Sequence, residues 1–305
     1  MSPSASIIFD RARLRRQRDR AAANFQEYDF LKARVSNDLL ERLADTSHIF
    51  ARAHDLGCHT GELAKRLKTH SGVEKVTASD LSSRMVEKAF RSGVEADYAD
   101  EENLPFQAGS FDLIMSALSL HWVNDLPGAL IQIRRTLKPD GLFLAGLFGA
   151  GTLSELRASL TEAEVELSGG AALRVSPLPG LQDMAGLMQR AGFALPVVDV
   201  DTVTVRYSSP FKLLEDLRGM GERAAFASAQ GGGLSKRILA RMAEVYADRF
   251  SDPDGKVRAS FKIIYLSGWA PADSQPQPKK PGSATVRLAD ALGVKEKSTG
   301  EKPRS

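Results

Sequence analysis

Two strand-like runs, each closed by a distinctive residue and separated by a helix-like run, constrain this chain more than anything else in it. Residues 48–56 end in the turn Asp55-Leu56-Gly57-Cys58-His59-Thr60-Gly61, which opens a helical stretch at 62–68. Residues 75–79 end in Asp80, 19 residues past Gly61. Glycine after a strand lets the backbone turn sharply and approach a ligand closely. The helix N-terminus behind it offers free N–H groups to an anion. The alternation continues through strand-like residues 95–99, 111–117 and 142–148, then 196–207 and 257–269. Strands alternating with helices predict an α/β fold: a seven-stranded, mostly parallel, doubly wound sheet with helices on both faces.

Between these runs, Leu126, Leu130, Ile133 and Leu137 recur at helical spacing and give one apolar face. Lys138-Pro139-Asp140-Gly141 is expected to end that helix, because Pro cannot extend it and Gly tolerates the turn back into a strand. A further helix is expected at 181–190. Helical stretches at 211–220 and 234–250 read as an insertion before the last strand, about residues 208–256, that caps the cleft. Residues 1–47 read as an N-terminal helical lid holding the arginine-rich stretch 11–20, and 48–270 as the main domain. Residues 271–305, rich in Pro, Lys and Ser, read as a disordered tail in which 285–292 could dock.

Hydrophobic residues make up 43% of the chain and charged residues 26%, enough for a sizeable core. No apolar run approaches the roughly 18–20 residues that span a bilayer, and no apolar h-region marks the start for export. Cys58, the single cysteine, cannot form an internal disulfide, which fits a reducing, cytoplasmic compartment. The net charge of +3 invites a nucleic-acid reading, but its distribution argues against one. Seven Lys/Arg and three Asp/Glu lie between Pro276 and the end, and six Arg and one Asp between Arg11 and Arg20, so the remainder is acidic. Basic ends on an acidic body are commonly solvated faces or tails.

Ligands in open α/β sheets sit outside the carboxyl ends of the strands, so the residues there are the candidates. Asp80 can accept from both hydroxyls of a ribose, or it can merely cap the helix that starts near Ser82. Ala99-Asp100-Glu101-Glu102-Asn103-Leu104-Pro105-Phe106 follows the third strand and reads either as an adenine-binding turn or as a solvated acidic one. Phe111-Asp112-Leu113-Ile114-Met115-Ser116-Ala117-Leu118-Ser119-Leu120-His121-Trp122-Val123 brings His121 and Trp122 to the reacting end, with core packing the alternative for the indole.

Taken in order, these features resemble the class I S-adenosylmethionine-dependent methyltransferases. The resemblance is densest over 48–150, and the order of elements extends it to Trp269. It implies S-adenosyl-L-methionine as cofactor, held by Asp55, Gly57, His59, Gly61, Asp80, Leu81, Asp100, Glu101 and Ser116. The methionine carboxylate would sit at the glycine turn and the adenine amine at the acidic one. His59 departs from the family's Gly-x-Gly-x-Gly, and a side chain there would crowd the methionine moiety or demand a strained backbone.

The flanks narrow the resemblance. Ile8-Phe9-Asp10-Arg11, Ser119-Leu120-His121-Trp122-Val123-Asn124-Asp125-Leu126-Pro127, Leu217-Arg218-Gly219-Met220-Gly221-Glu222 and Gly282-Ser283-Ala284-Thr285-Val286 are similar to the methyltransferase-like assembly factors of respiratory complex I, protein arginine hydroxylases of mitochondria. That similarity implies, for a bacterial relative, a complex I subunit as protein partner, met near the inner face of the cytoplasmic membrane. Hydroxylation by non-haem iron generally needs two histidines and a carboxylate. The five histidines His48, His54, His59, His70 and His121 show no ligand spacing, so no metal site is expected. Methyl transfer asks mainly for alignment and exclusion of water. His121 is the first candidate for a base if the acceptor must lose a proton, and Trp122 for stacking on the substrate. The malonyl-acyl-carrier-protein O-methyltransferases of biotin synthesis share the strand order and the insertion, so that activity is one alternative. A non-catalytic assembly chaperone is another.

Overall fold

The computed structural model describes residues 7–228, 233–276, 286, 290 and 292–295. Two compact units are present, Met1–Ala272 and Asp273–Ser305. The expected disordered tail lies for the most part outside the described residues, as do Gly282, Ser283, Ala284 and Thr285 of its motif. Among the described residues no helix is long and apolar enough to cross a membrane.

The first unit begins with two helices, α1 (Arg11–Ala21) and α2 (Phe30–Ala44). Alternation follows through β1 (Phe50–Leu56), α3 (Glu62–Leu67), β2 (Val73–Asp80), α4 (Ser83–Arg91), β3 (Glu95–Tyr98), β4 (Phe111–Ala117), α5 (Leu126–Thr136) and β5 (Leu137–Phe148). Then come α6 (Ser154–Ser168), α7 (Leu181–Arg190), β6 (Ala194–Tyr207), α8 (Pro210–Gly219), α9 (Lys236–Phe250) and β7 (Val257–Trp269). The seven strands form one sheet in the order β3-β2-β1-β4-β5-β7-β6. Strands β1 to β5 pair in parallel, and β7 runs antiparallel between β5 and β6. The order reverses between β1 and β4, so their carboxyl ends frame the crevice where ligands bind in such sheets.

Each face of the sheet is buried against helices, as parallel strands require. Leu31, Val35, Leu39 and Leu43 recur every fourth residue of α2 and pack on one face with Leu113 and Met115 of β4. Leu126, Ala129, Leu130 and Ile133 of α5 cover the other, against Ile114. Helix α5 stops at Thr136, and Lys138-Pro139-Asp140-Gly141, expected as a free turn, is the irregular start of β5. The register jumps there from Phe111↔Leu137 to Leu113↔Leu142, and Asp140 takes φ +63°. Aspartate tolerates that left-handed backbone, so the extra residues are absorbed as a bulge. Helix α6 had no sequence prediction, because it starts at Leu153 with φ +55° and no side-chain cap.

His54 lies inside the fold at β1, its Nδ1 2.9 Å from Thr77 Oγ1 and its Nε2 2.9 Å from Ser79 Oγ, wedged against Phe106 and Phe111. Burial lowers its pKa to about 3. The folded value is depressed, so His54 contributes stability that is complete above its unfolded pKa and is lost as pH falls toward the folded one. Between pH 6.5 and 5 the loss should be on the order of 1–2 kcal/mol. Urea unfolding of wild type and His54→Gln at the two pH values checks it: the variant should be less stable at pH 7 and show a flatter pH dependence.

Candidate cofactor cleft and the adjoining cavity

The turn after β1 is built on left-handed backbone at three alternate positions, Gly57 at φ +71°, His59 at +52° and Gly61 at +80°. The N–H groups of Gly57 and Cys58 donate to the Ser79 carbonyl at 2.8 and 2.9 Å, which ties the turn to the end of β2. A Cβ on Gly61 would lie 2.9 Å from the Ala89 Cβ, so glycine there also lets α3 and α4 approach. Asp55 is fully buried; its Oδ2 accepts from the Ala64 N–H at 3.1 Å in α3. Among the described residues its Oδ1 has no partner. Burial pushes the Asp55 carboxyl up to about 6.

His59 stands where its backbone is least comfortable, and its contacts explain why it stays. Its ring stacks on Phe25 at 5.0 Å between centroids. Its N–H donates to Asp80 Oδ2 at 2.9 Å. Burial holds the imidazole well below its usual pKa, so it is neutral and Nδ1–H can donate to the Gly57 carbonyl at 3.0 Å. Beside it, the Lys32 ammonium donates to the carbonyls of Gly57 at 3.0 Å and Ala117 at 2.8 Å, bridging the ends of β1 and β4. Burial lowers the Lys32 pKa.

Asp80 ends β2 at 0% exposure, with Oδ1 accepting from the Ser82 N–H at 2.8 Å. Ser82 caps α4, through the Met85 N–H at 3.1 Å, so the cap does not depend on Asp80. What faces Asp80 instead is Arg18 of α1, itself 1% exposed. Its Nη1 lies 3.4 Å from both Asp80 oxygens and 3.2 Å from Glu101 Oε1, and its Nη2 donates to Ser119 Oγ at 2.9 Å. Arg11, two turns earlier on the same face, reaches Asp100 Oδ1 at 2.5 Å and pairs with Glu101. Burial opposes the charge on all three partners, yet the pairing wins. The Arg18 guanidinium titrates above its ordinary value, because of Asp80 and Glu101. The Glu101 carboxyl falls to about 2, because of Arg11 and Arg18.

The structure therefore brings Gly57, His59, Asp80, Asp100 and Glu101 to one crevice, with Asp55 and Gly61 bracing the turn. Leu81 packs behind it with Phe9, Leu14 and Trp122. Ser116 lies inside the sheet, donating to the Leu56 carbonyl at 2.8 Å. The hydroxyl in the cleft is that of Ser119. Arg11 and Arg18 were read only as part of the lid's arginine-rich stretch, Ser119 and Glu222 only within motifs, and Lys32 not at all, so none was named as a site residue. A signal existed for the first two: Arg11, Leu14, Arg18 and Ala21 fall on one face of α1, and an apolar stripe bounded by arginines is what a buried guanidinium needs.

On the far side of the 3-10 turn Leu120–Trp122, a cavity of about 770 Å³ opens. Leu153, Leu156, Leu160 and Phe211 line it, with Arg13, Arg218 and Arg223 among its charges. His121, Trp122 and Glu222 form part of its wall. Glu222 Oε2 lies 2.9 Å from His121 Nε2 and accepts from the Trp122 N–H at 2.8 Å. A carboxylate can only accept, so in the neutral imidazole Nε2 carries the proton and Nδ1 the lone pair. That Nδ1 is buried without a partner among the described residues. Trp122 is 2% exposed and packs edge-on against Phe9 at 5.1 Å, so its indole anchors Glu222 from within the core.

The donor set suits an adenosine cofactor: a strand-end carboxylate for a diol, an orphaned Asp55 oxygen and a turn with room for backbone approach. The space is contested. A Cβ on Gly57 would lie 2.1 Å from Ser119 Oγ and 3.2 Å from Glu101 Oε1, and Arg18 covers both oxygens of Asp80.

A methyltransferase-domain family model matches residues 54–145. The chain is 40% identical over 287 residues to the mitochondrial arginine-hydroxylase NDUFAF5 of Danio rerio, covering 93% of this chain and 89% of that one. It is 31% identical to the malonyl-[acyl-carrier protein] O-methyltransferase of Halorhodospira halophila, covering 97% and 99%. The fold matches the YcgJ protein of Bacillus subtilis with a TM-score of 0.55 at 17% identity, covering 77% of this chain and 99% of that one.

Removing one partner from a buried ion pair costs about 3–5 kcal/mol, because the other charge is left unpaired. Glu101→Gln should lower the stability of the cofactor-free protein by that order, read as the urea midpoint at pH 7. Glu102→Gln, at a half-buried neighbouring carboxylate, should cost less than about 1 kcal/mol.

Proposed function

Because this chain belongs to the class I S-adenosylmethionine-dependent methyltransferase family, we propose that it modifies an arginine side chain on a protein partner, a subunit of respiratory complex I, during assembly. The observation that carries this reading is Glu222. It is a nearly buried carboxylate on the cavity wall, held through Oε2 by two N–H donors, with Oε1 left as its open acceptor among the described residues. A guanidinium is the side chain that matches a fixed carboxylate by geometry as well as by charge. The arginine hydroxylases that resemble this chain over nearly its whole length support the same class of acceptor.

Within this proposal the cofactor's contribution, when bound, is an electrophilic methyl group on sulfur. The chain's own residues do the rest. Glu222 binds and orients the guanidinium, and Trp122 keeps the carboxylate from rotating. His121 offers Nδ1 as the acceptor for a proton, poised by the hydrogen bond at its Nε2. The apolar wall of Leu153, Leu156 and Leu160 excludes water, which strengthens the pairing.

A second reading has its own observation. Arg13, Arg218 and Arg223 on the same cavity, above a leucine-rich lining, suit an acyl chain on an acidic carrier protein, the substrate named for the malonyl-acyl-carrier-protein methyltransferases. Intact-mass analysis of complex I subunits, purified from cells with and without this gene, separates the two. The arginine reading expects one subunit to gain a CH2 group or an oxygen atom at an arginine only when the gene is present. Glu222→Gln should then lower the modified fraction about 10–100-fold, the weight of a hydrogen bond to a charged group. Unchanged subunits, together with rescue of a biotin auxotroph, would transfer the activity to the acyl carrier. Unchanged subunits with complex I lost and biotin synthesis intact would leave a chaperone.

A further inference from the structure

We propose that helix α1 is a built-in occupant of the cofactor site, with Arg18 standing on Asp80 and Glu101 until the cofactor expels it. The inference rests on the cofactor reading and on nothing about the acceptor.

Asp80 and Glu101 are both fully buried and share one guanidinium nitrogen, Arg18 Nη1. Two buried carboxylates so placed need a cation between them, because like charges repel and neither keeps its water. The fold therefore needs Arg18 at that place, or something that replaces it. Yet Arg18 fits the place incompletely. Its Nη1 distances to Asp80 are long for charge-assisted bonds, and its Nε is buried with no partner among the described residues. The guanidinium fills the room over Asp80 without using all its own donors, as a stand-in would.

The rest of α1 is attached by contacts that can be exchanged as a unit. Asp19 Oδ1 accepts from Ser82 Oγ at 2.6 Å, on the loop that leads from Asp80 into α4. Leu14 packs on Leu81, the residue after Asp80. Arg11 can hold Glu101 when Arg18 leaves, so that carboxylate keeps a cation. Asp80, by contrast, would pass from one Arg18 nitrogen to two ribose hydroxyls. The helix thus competes with the cofactor for one carboxylate, and apparent affinity is reduced by the fraction of molecules in which α1 is docked.

Two measurements with S-adenosylhomocysteine test this. By calorimetry, Arg18→Ala should bind the probe about tenfold or more tightly than wild type, while Arg15→Ala, exposed on the same helix, should match wild type. By hydrogen exchange on the wild-type protein, the amides of residues 14–21 should exchange faster at saturating probe. Equal or weaker binding by Arg18→Ala, or slower exchange in α1, would overturn the proposal and make α1 a lid that closes over the cofactor. Binding by neither protein would overturn it as well. The wild-type exchange stands by itself if Arg18→Ala, which strips a buried cation, fails to fold. Neither readout involves an acceptor, so failure here leaves the arginine reading to its own experiment.

Discussion

The charge cluster at the carboxyl edge of the sheet sets the terms for the rest of the molecule. Asp80 and Glu101 are carried there by the ends of β2 and β3, at a depth where an unpaired carboxylate is untenable. Two arginines from one helix make the depth tolerable, and so an otherwise surface-like segment, with six arginines in ten residues, is bound to the core. A buried ion pair of this kind is poor evidence for stability, because desolvation consumes most of the attraction. Its value lies in specification. Only one placement of α1 puts Arg11 and Arg18 against three carboxylates while Leu14 enters the apolar cluster between them.

Much of the fold was legible because each strand ends in a residue with one conformational job. The glycine turn, Asp80 and the stretch at Phe111 are local signals, and alternation marks the α/β class, whereas the insertion of antiparallel β7 between β5 and β6 is set by tertiary pairing. The bulge at Lys138-Pro139-Asp140-Gly141 was misread as a free turn, because Pro and Gly mark a break without saying whether pairing resumes across it. Helix α6 escaped notice for want of a cap. In both places tertiary pairing supplies what the local pattern lacks.

The site was legible in half. Acids and glycines at strand ends announce themselves by position, so Gly57, His59, Asp80, Asp100 and Glu101 could be named as candidates from sequence, and the fold gathers them in one crevice. Of their partners, only the arginines on one face of α1 carried a signal. Arg18, Lys32 and Glu222 reach the cleft from elements remote in sequence, across 62, 25 and 101 residues respectively. An arginine run reads as a solvated face unless the residues between are known to be buried. His59 shows the same limit from the other side. The strained backbone expected there is present at φ +52°, and what sequence could not show is that the ring fills the space beside Phe25 and its proton joins the Gly57 carbonyl.

The cleft and the cavity are joined by the segment that precedes α1. The N–H groups of Ile8 and Phe9 both donate to Asn124 Oδ1 at 2.8 Å, and Asp10 donates to the Ala225 carbonyl at 2.7 Å. Phe9 meets Trp122 edge-on, and Arg11 reaches the Trp122 carbonyl at 3.3 Å while gripping Asp100 and Glu101. Phe9 thus touches the indole that fixes Glu222, and Arg11, two residues on, holds the carboxylates of the other side. Packed side chains transmit displacement, because interiors hold few voids to absorb it. A shift of α1 on Asp80 cannot leave Trp122 untouched, and the orientation of Glu222 depends on that indole. The Phe9–Trp122–Glu222 chain of contacts is the route by which a displacement of α1 would reach the cavity wall.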